Sequence, residues 1–497
     1  MSLRKNILAS YASQIYVTLI GVVLLPVYIR YMGVEAYGLV GFYTMLLAWF
    51  QMLDFGLAPT LSREVARYVG GAVDGLTLRR LLRVLEAVFF SVALAGALTL
   101  LLGADWVASS WLRIEHLPPG QVRTAIRLMA IIIALRWVAA LYRAAIGGFE
   151  QQVWLGGLNA AIATARSVLV VPLFALDTTP EYFFGYQLIV AVVETALLAA
   201  RTYRLMPSLP EGERIGFHWR PLHGVLRFSL SIAFTGAVWI GMTQIDKLLL
   251  SKLLPLAEYA QFTLAVLVAG GVLIVSGPLS TALLPRLSRL HAQGDEQGLI
   301  ALYRQATQGM AVIAMPVALV LACGAEPLLR AWTGDGVLAA NAAPVLRLYA
   351  LGNGILALSA FPYYLQFAKG DLRLHLAGNA LFLMMFIPAI WLATTHYGAQ
   401  GAGWAWLGAN VVYALAWVPL VHRRFAPGLH RLWLFADVLP ITAAVICASL
   451  LLLPFLSASE HRVATVVLLF TGGLVAHAAA LAASSQARTW ILNRTNR

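Results

Sequence analysis

Fourteen long apolar runs constrain this chain more than any other feature. They fall near 7–31, 37–61, 82–103, 122–146, 153–176, 181–203, 224–251, 257–284, 304–326, 343–367, 373–395, 401–421, 433–456 and 463–485. About 20 mostly apolar residues carry a helix across the hydrocarbon core of a bilayer. Inside lipid every backbone N–H and C=O needs a partner, so runs this long and continuous specify helices. A spanning barrel shows short alternating segments instead. Of 497 residues, 60% are hydrophobic and 11% charged, whereas soluble domains carry about 25% charged residues. The sequence therefore predicts an all-α integral membrane protein of about 14 transmembrane helices.

The formal net charge is +13, but the basic residues are scattered between the apolar runs. That distribution fits anchoring against anionic headgroups and argues against a nucleic-acid partner. Cys323 and Cys447 lie far apart in separate apolar runs, and the histidines lack metal-ligand spacing. No disulfide framework, metal site or cofactor is expected. A basic start followed by a long apolar run without an Ala-x-Ala site predicts a first helix that is kept, not a cleaved signal. Twenty-four Lys and Arg fall in one set of alternate connections and seven in the other. The positive-inside rule then places both termini in the cytoplasm. The longest outer loops, near 104–121 and 327–342, are too short to fold alone.

The two halves repeat with an offset of about 222. "GVEAYGLVGFYTML" (33–46) faces "PLAEYAQFTLAVLV" (255–268), matching Tyr37 to Tyr259, and "DGL" (74–76) faces "QGL" (297–299). The expected organisation is a six-helix lobe over 1–203, a cytoplasmic linker over 204–223 and a second lobe over 224–424. Two additional helices and a tail occupy 425–497. Parallel six-helix lobes around a central cavity are an arrangement transporters use for alternating access.

A charge near the bilayer centre costs at least about 2.5–3.5 kcal/mol, so each one needs a reason. Four basic residues fall within spans: Arg127, Arg136, Arg166 and Lys247. The guanidinium's planar fork suits phosphate, so midplane arginines point to a cavity that handles an anion. Arg127 and Lys247 lie nearer the outer ends, where snorkelling to headgroups also explains them. Of the embedded acids, Glu194 is a candidate coupling site, and Asp246 needs a partner on another helix. Glu86 is expected to pair with Arg83 one turn away. "GNGILA" (352–357) fits a dinucleotide pattern but has no preceding strand, so that reading fails.

"MLDFGLAPTLSREVAR" (52–67) sets Asp54, Gly56 and Pro59 inside an apolar span that exits on Arg63 and Arg67. Under the repeat, Gly56 meets "GP" at Gly277 and Pro278. Both copies are thus expected to bend just before the cytoplasmic exit, with Pro59 and Pro278 as hinges. Asp54 has no acidic counterpart.

The stretch "LPVYIRYMGVEAYGLVGFYTMLLAWFQMLDFGLAPTLSREVARY" (25–68) resembles the opening of bacterial polysaccharide flippases of the multidrug/oligosaccharidyl-lipid/polysaccharide exporter superfamily. "QIDKLLLSKLLPLAEYAQF" (244–262) resembles the start of that family's second half. The resemblance implies two six-helix lobes and movement of undecaprenyl-diphosphate-linked oligosaccharide from the inner to the outer leaflet of the cytoplasmic membrane. It also implies proton, ion or membrane-potential coupling, and a polysaccharide polymerase and chain-length regulator as partners. By resemblance, Arg30 in "YIRYMG" and Asp246 in "QIDKLLL" join the candidate site. The competing readings are a cation-coupled multidrug antiporter of the same superfamily and a membrane-embedded polymerase or ligase. Embedded cations argue against the first, and the lack of a sizeable outer loop against the second.

Overall fold

The computed structural model describes residues 3–208, 216, 219–457, 461–486 and 488, with only the backbone for 3–11, 220–235, 276–282, 453 and 456–457. Arg214 of the expected linker and Arg494 and Arg497 of the tail lie outside the described residues, as do the side chains of Arg4, Lys5, Arg220, Arg227 and Pro278. Within the described residues the regular structure is all helical, joined by short turns and loops, with one isolated bridge between Arg113 and Pro255. Length and hydropathy mark twelve candidate spans. One of them, Arg373–Phe425, is two helices merged across Gly398, whose φ of 57° is not helical. With the 34-residue helix Arg220–Leu253, long enough to cross as well, the described helices agree with about fourteen spans.

The chain divides into two compact units, Met1–Ala260 and Gln261–Arg497. The first is built from α1 (Leu3–Met32), α2 (Val34–Gln51), α3 (Leu57–Val69), α4 (Gly75–Trp106), α5 (Pro119–Gly148), α6 (Gln152–Ser167), α7 (Val170–Leu173), α8 (Pro180–Leu205) and α9 (Arg220–Leu253). It also holds the start of α10 (Leu256–Ala269). Helix α5 is its hub, packing on α2, α3, α4, α6 and α8. Its sequence explains this position: half of its thirty residues are buried, a pattern apolar nearly all round. On one side Trp137 stacks on Phe89 of α4 with ring centroids 4.2 Å apart. At its end Gly148 lets the backbone approach α3, because a Cβ there would lie 2.5 Å from the carbonyl oxygen of Ser62.

The loop after α4 is pinned by a buried acid. Glu35, buried in the first turn of α2, accepts hydrogen bonds from the backbone N–H groups of Glu115, His116 and Leu117 at 2.7–3.3 Å. The carbonyl of Arg113 accepts from Leu256 N–H at 2.9 Å.

The bend in "MLDFGLAP" lies earlier than the proline. Helix α2 stops at Gln51, a short tight turn covers Met52–Asp54, and Phe55 and Gly56 take positive φ values of 48° and 71°. A left-handed pair cannot continue a right-handed helix, so the chain restarts at Leu57. Pro59 then sits in the first turn of α3, where its missing N–H breaks no helical hydrogen bond. Asp54 accepts a hydrogen bond from the N–H of Ala58 at 3.0 Å, which accounts for an acid at a helix start. In the second unit the helical break falls earlier, at Gly270 between α10 and α11 (Gly271–Ala292), and α11 runs on through Gly277 and Pro278.

The remaining helices of the second unit are α12 (Glu296–Cys323), α13 (Ala325–Thr333), α14 (Gly336–Ser359), α15 (Phe361–Ala368), α16 (Arg373–Val412), α17 (Val418–Phe425), α18 (Leu429–Leu432), α19 (Leu439–Ser457) and α20 (Arg462–Ala483). Helix α12 packs against α11, α14, α19 and α20. The repeat is visible in the helix caps. Asp74 accepts from Thr77 N–H at 2.8 Å to start α4, and Asp295 accepts from Gly298 N–H at 2.7 Å to start α12. The hydroxyl and N–H of Thr77 hold the Asp74 carboxyl below its usual range. Structure therefore equates Asp74 with Asp295, two residues before the alignment of "DGL" with "QGL".

Candidate functional site

A cavity of about 830 Å³ opens within the first unit, walled by α1, α3, α5, α6 and α8. Helix α5 contributes Arg136, Ala140, Arg143, Ala144 and Gly147, which recur at the three- and four-residue steps of one helical face. Helix α6 contributes a second stripe, including Gly156, Asn159, Ala163 and Arg166, and Pro59 and Ser62 come from α3. Small residues between the arginines leave the space that the guanidiniums face.

The cationic groups are held in different ways. Arg143 donates one guanidinium N–H to Glu194 of α8 and another to the side-chain oxygen of Asn159. Arg136 donates to the Tyr43 hydroxyl at 3.2 Å, and its Nη2 lies 3.6 Å from Glu194 Oε2. Among the described residues the Arg166 side chain has no hydrogen-bond or ion-pair partner. The described lining thus carries three guanidiniums and one carboxylate.

Arg166 owes its position to the way α6 ends. Helix α6 stops at Ser167, just before the short helix α7, and releases its last carbonyls. Three side chains take them up. The Tyr186 hydroxyl donates to the carbonyl of Ala165 at 2.7 Å, Gln187 Nε2 to Arg166 at 3.0 Å, and the Tyr28 hydroxyl to Ser167 at 2.7 Å. A cation in the last turn of a helix also meets the negative end of its dipole.

Of the residues singled out from sequence, the structure brings Arg136, Arg166, Glu194 and Pro59 together around this cavity. The others lie outside its lining. Arg127 and Arg123 both bond Asp105 at an exposed position. Lys247 Nζ returns to the carbonyl of Thr243 in its own helix at 2.9 Å. Asp246 is buried in α9 and accepts from its neighbour's N–H at 2.7 Å. Arg30 is exposed in the last turn of α1. Glu86 accepts hydrogen bonds from the hydroxyls of Tyr142 and Tyr203, not from Arg83. Sequence reasoning missed Arg143 and Asn159. Arg143 counted as a positive-inside anchor, yet it stands seven residues from Arg136, two helical turns along the same face.

An anion with two acidic groups fits this arrangement chemically. Guanidiniums donate paired N–H groups to phosphate oxygens, and the surrounding apolar wall strengthens each contact. The twelve helices long and apolar enough to cross a bilayer make the chain a multi-pass membrane protein. A family model described as "Polysaccharide biosynthesis protein" matches residues 3–291, more than half of the chain. The chain belongs to that family. Among solved structures it is similar to the lipid II flippase MurJ in an inward closed conformation, with 14% identity, a TM-score of 0.68 and coverage of 95% of this chain and 97% of that one. It is also similar to an inward-facing MATE-family multidrug resistance transporter, with 13% identity, a TM-score of 0.65 and coverage of 83% and 96%. A mutant form of the Vibrio cholerae MATE transporter VcmN matches at 16% identity and a TM-score of 0.56, covering 84% and 96%. No curated protein sequence matches.

Proposed function

We propose that this protein is a flippase that moves a lipid-linked oligosaccharide, carried on a prenyl diphosphate, from the inner to the outer leaflet of the bacterial cytoplasmic membrane. The observation that carries this reading is the cavity lining, where Arg136, Arg143 and Arg166 stand against one acid, Glu194, among the described residues. A diphosphate-sugar headgroup supplies the negative charge those arginines lack, while the prenyl chain stays in the surrounding lipid. Family membership supports polysaccharide biosynthesis as the setting. A cation antiporter would carry the opposite charge balance in its cavity. Both termini lie in the cytoplasm in this reading. The lobes run over 1–203 and 224–424, the last two helices form an accessory pair, and a polymerase and chain-length regulator act on the exported unit. Arg30, Arg127 and Lys247, which lie outside the cavity lining, are assigned to guiding the headgroup at its edges. Asp54 and Asp246 join Glu194 as acids that respond to the driving ion, and the Phe55–Gly56 break is the hinge of the first lobe.

The test is translocation of a prenyl-diphosphate oligosaccharide into the outer leaflet of proteoliposomes. A hydrogen bond to a charged group is worth about 1.5–3 kcal/mol. Arg136→Ala and Arg166→Ala should therefore each slow transport by about tenfold to a hundredfold. Normal transport by a folded double variant would exclude this cavity as the headgroup path.

A further inference from the structure

We infer that Glu194 is an internal placeholder anion, occupying the Arg136–Arg143 guanidinium pair until the diphosphate of the substrate displaces it. The inference rests on the diphosphate reading above and adds the event that admits the ligand.

Three observations carry it. First, Glu194 is the only acid among the described residues lining the cavity and its side chain is 6% exposed, so its charge is buried against its partners. Second, its two oxygens are served unequally. Oε1 is held by Arg143, whereas Oε2 makes no hydrogen bond and has only Arg136 at 3.6 Å among the described residues. Third, both guanidiniums also open toward the cavity, with side chains 20% and 35% exposed. An incoming phosphate can therefore reach them from the open side while Glu194 holds them from behind.

The physical argument is one of compensation. Two adjacent arginines with largely buried side chains need a negative partner whether or not a substrate is present, because an uncompensated buried charge is costly. A permanent strong partner would block substrate, and no partner would bind it too tightly to release. An acid bound firmly through one oxygen and loosely through the other provides charge balance in the empty state and yields to a dianion. Arg166, without a partner of its own among the described residues, is the group free to make the first contact. The Asn159 side chain keeps Arg143 in place during the exchange through its own hydrogen bond.

The experiment is calorimetric binding of inorganic pyrophosphate and of farnesyl diphosphate to the full chain in detergent, alongside translocation. Removing the competitor should tighten binding: Glu194→Gln is expected to bind both probes at least about tenfold more strongly while translocating more slowly, because release becomes limiting. Glu194→Asp keeps the charge on a shorter arm and should show a smaller gain, which keeps the test available if Glu194→Gln does not fold. Unchanged or weaker binding by the folded variants overturns the placeholder role. Arg143→Ala separates this failure from that of the diphosphate reading. If Arg143→Ala loses pyrophosphate binding while the Glu194 variants gain nothing, only the placeholder falls. If wild type and all variants fail to bind either probe, both readings fall.

Discussion

Asp437→Ala should unfold the accessory helices before any other part of the second unit. Asp437 is fully buried on a widened helical turn, Trp433–Val438, and accepts two hydrogen bonds from Arg304 of α12 at 2.7 and 2.9 Å. Gln308, one turn further along α12, donates to the same carboxylate at 2.7 Å. Its amide oxygen accepts from the hydroxyl of Ser484 at 2.8 Å and from the N–H of Gln486 at 3.1 Å, beyond the end of α20. One buried network thus fastens both helices of the last pair to α12. Removing one member of a buried ion pair costs about 3–5 kcal/mol. The Arg304 side chain is 29% exposed and can regain some hydration, so the lower end of that range applies. For a unit of this size the melting temperature should fall on the order of 10 °C. Proteolysis should cut first between residues 439 and 483. A melting temperature within a degree of wild type would show that apolar packing alone holds the pair. Asp437→Asn, which keeps the shape and one acceptor, should fall between the two.

The second large effect is expected at Arg143. Arg143→Ala leaves Glu194 buried with one remaining cation 3.6 Å away, and Asn159 without its partner. The loss should be about 3 kcal/mol, the low end for a broken buried pair because Arg136 remains. Adding Glu194→Leu to Arg143→Leu removes both charges. The double variant should therefore be more stable than the sum of the two single losses by at least about 1 kcal/mol. Additive losses in thermal or chemical unfolding would mean the two side chains do not act as a pair.

Much of this was readable from sequence because a bilayer imposes a single strong rule. Run length and apolarity give the spans, and the match of Tyr37 to Tyr259 gives the repeat. Both tyrosines are buried one turn into their helices, with N–H groups donating to Gly33 and Pro255. Features that depend on which way a helix faces were harder to read. Arg127 and Arg136 look alike as cations in one apolar run. They lie nine residues apart, which places them about 180° apart around α5, so one meets Asp105 and the other the cavity. Arg143 was hidden by an assumption, since a cation near a span's basic end was counted as an anchor. Its seven-residue spacing from Arg136, with Ala140 between them and Ala144 alongside, was the available signal. In "MLDFGLAP" the proline drew the hinge to itself, although the left-handed turn at Phe55–Gly56 does the breaking and places Pro59 harmlessly in a first turn. The uptake of the α6 carbonyls by Tyr28, Tyr186 and Gln187 had no local signature, because it joins residues up to 139 positions apart.

A structure of the full chain with a prenyl diphosphate bound tests most directly where the diphosphate goes. It should show the phosphates inside the first unit within hydrogen-bond reach of Arg166 and Arg143, with Glu194 no longer bonded to Arg143. Phosphate density elsewhere in the protein, with the Arg143–Glu194 pair intact, would contradict it.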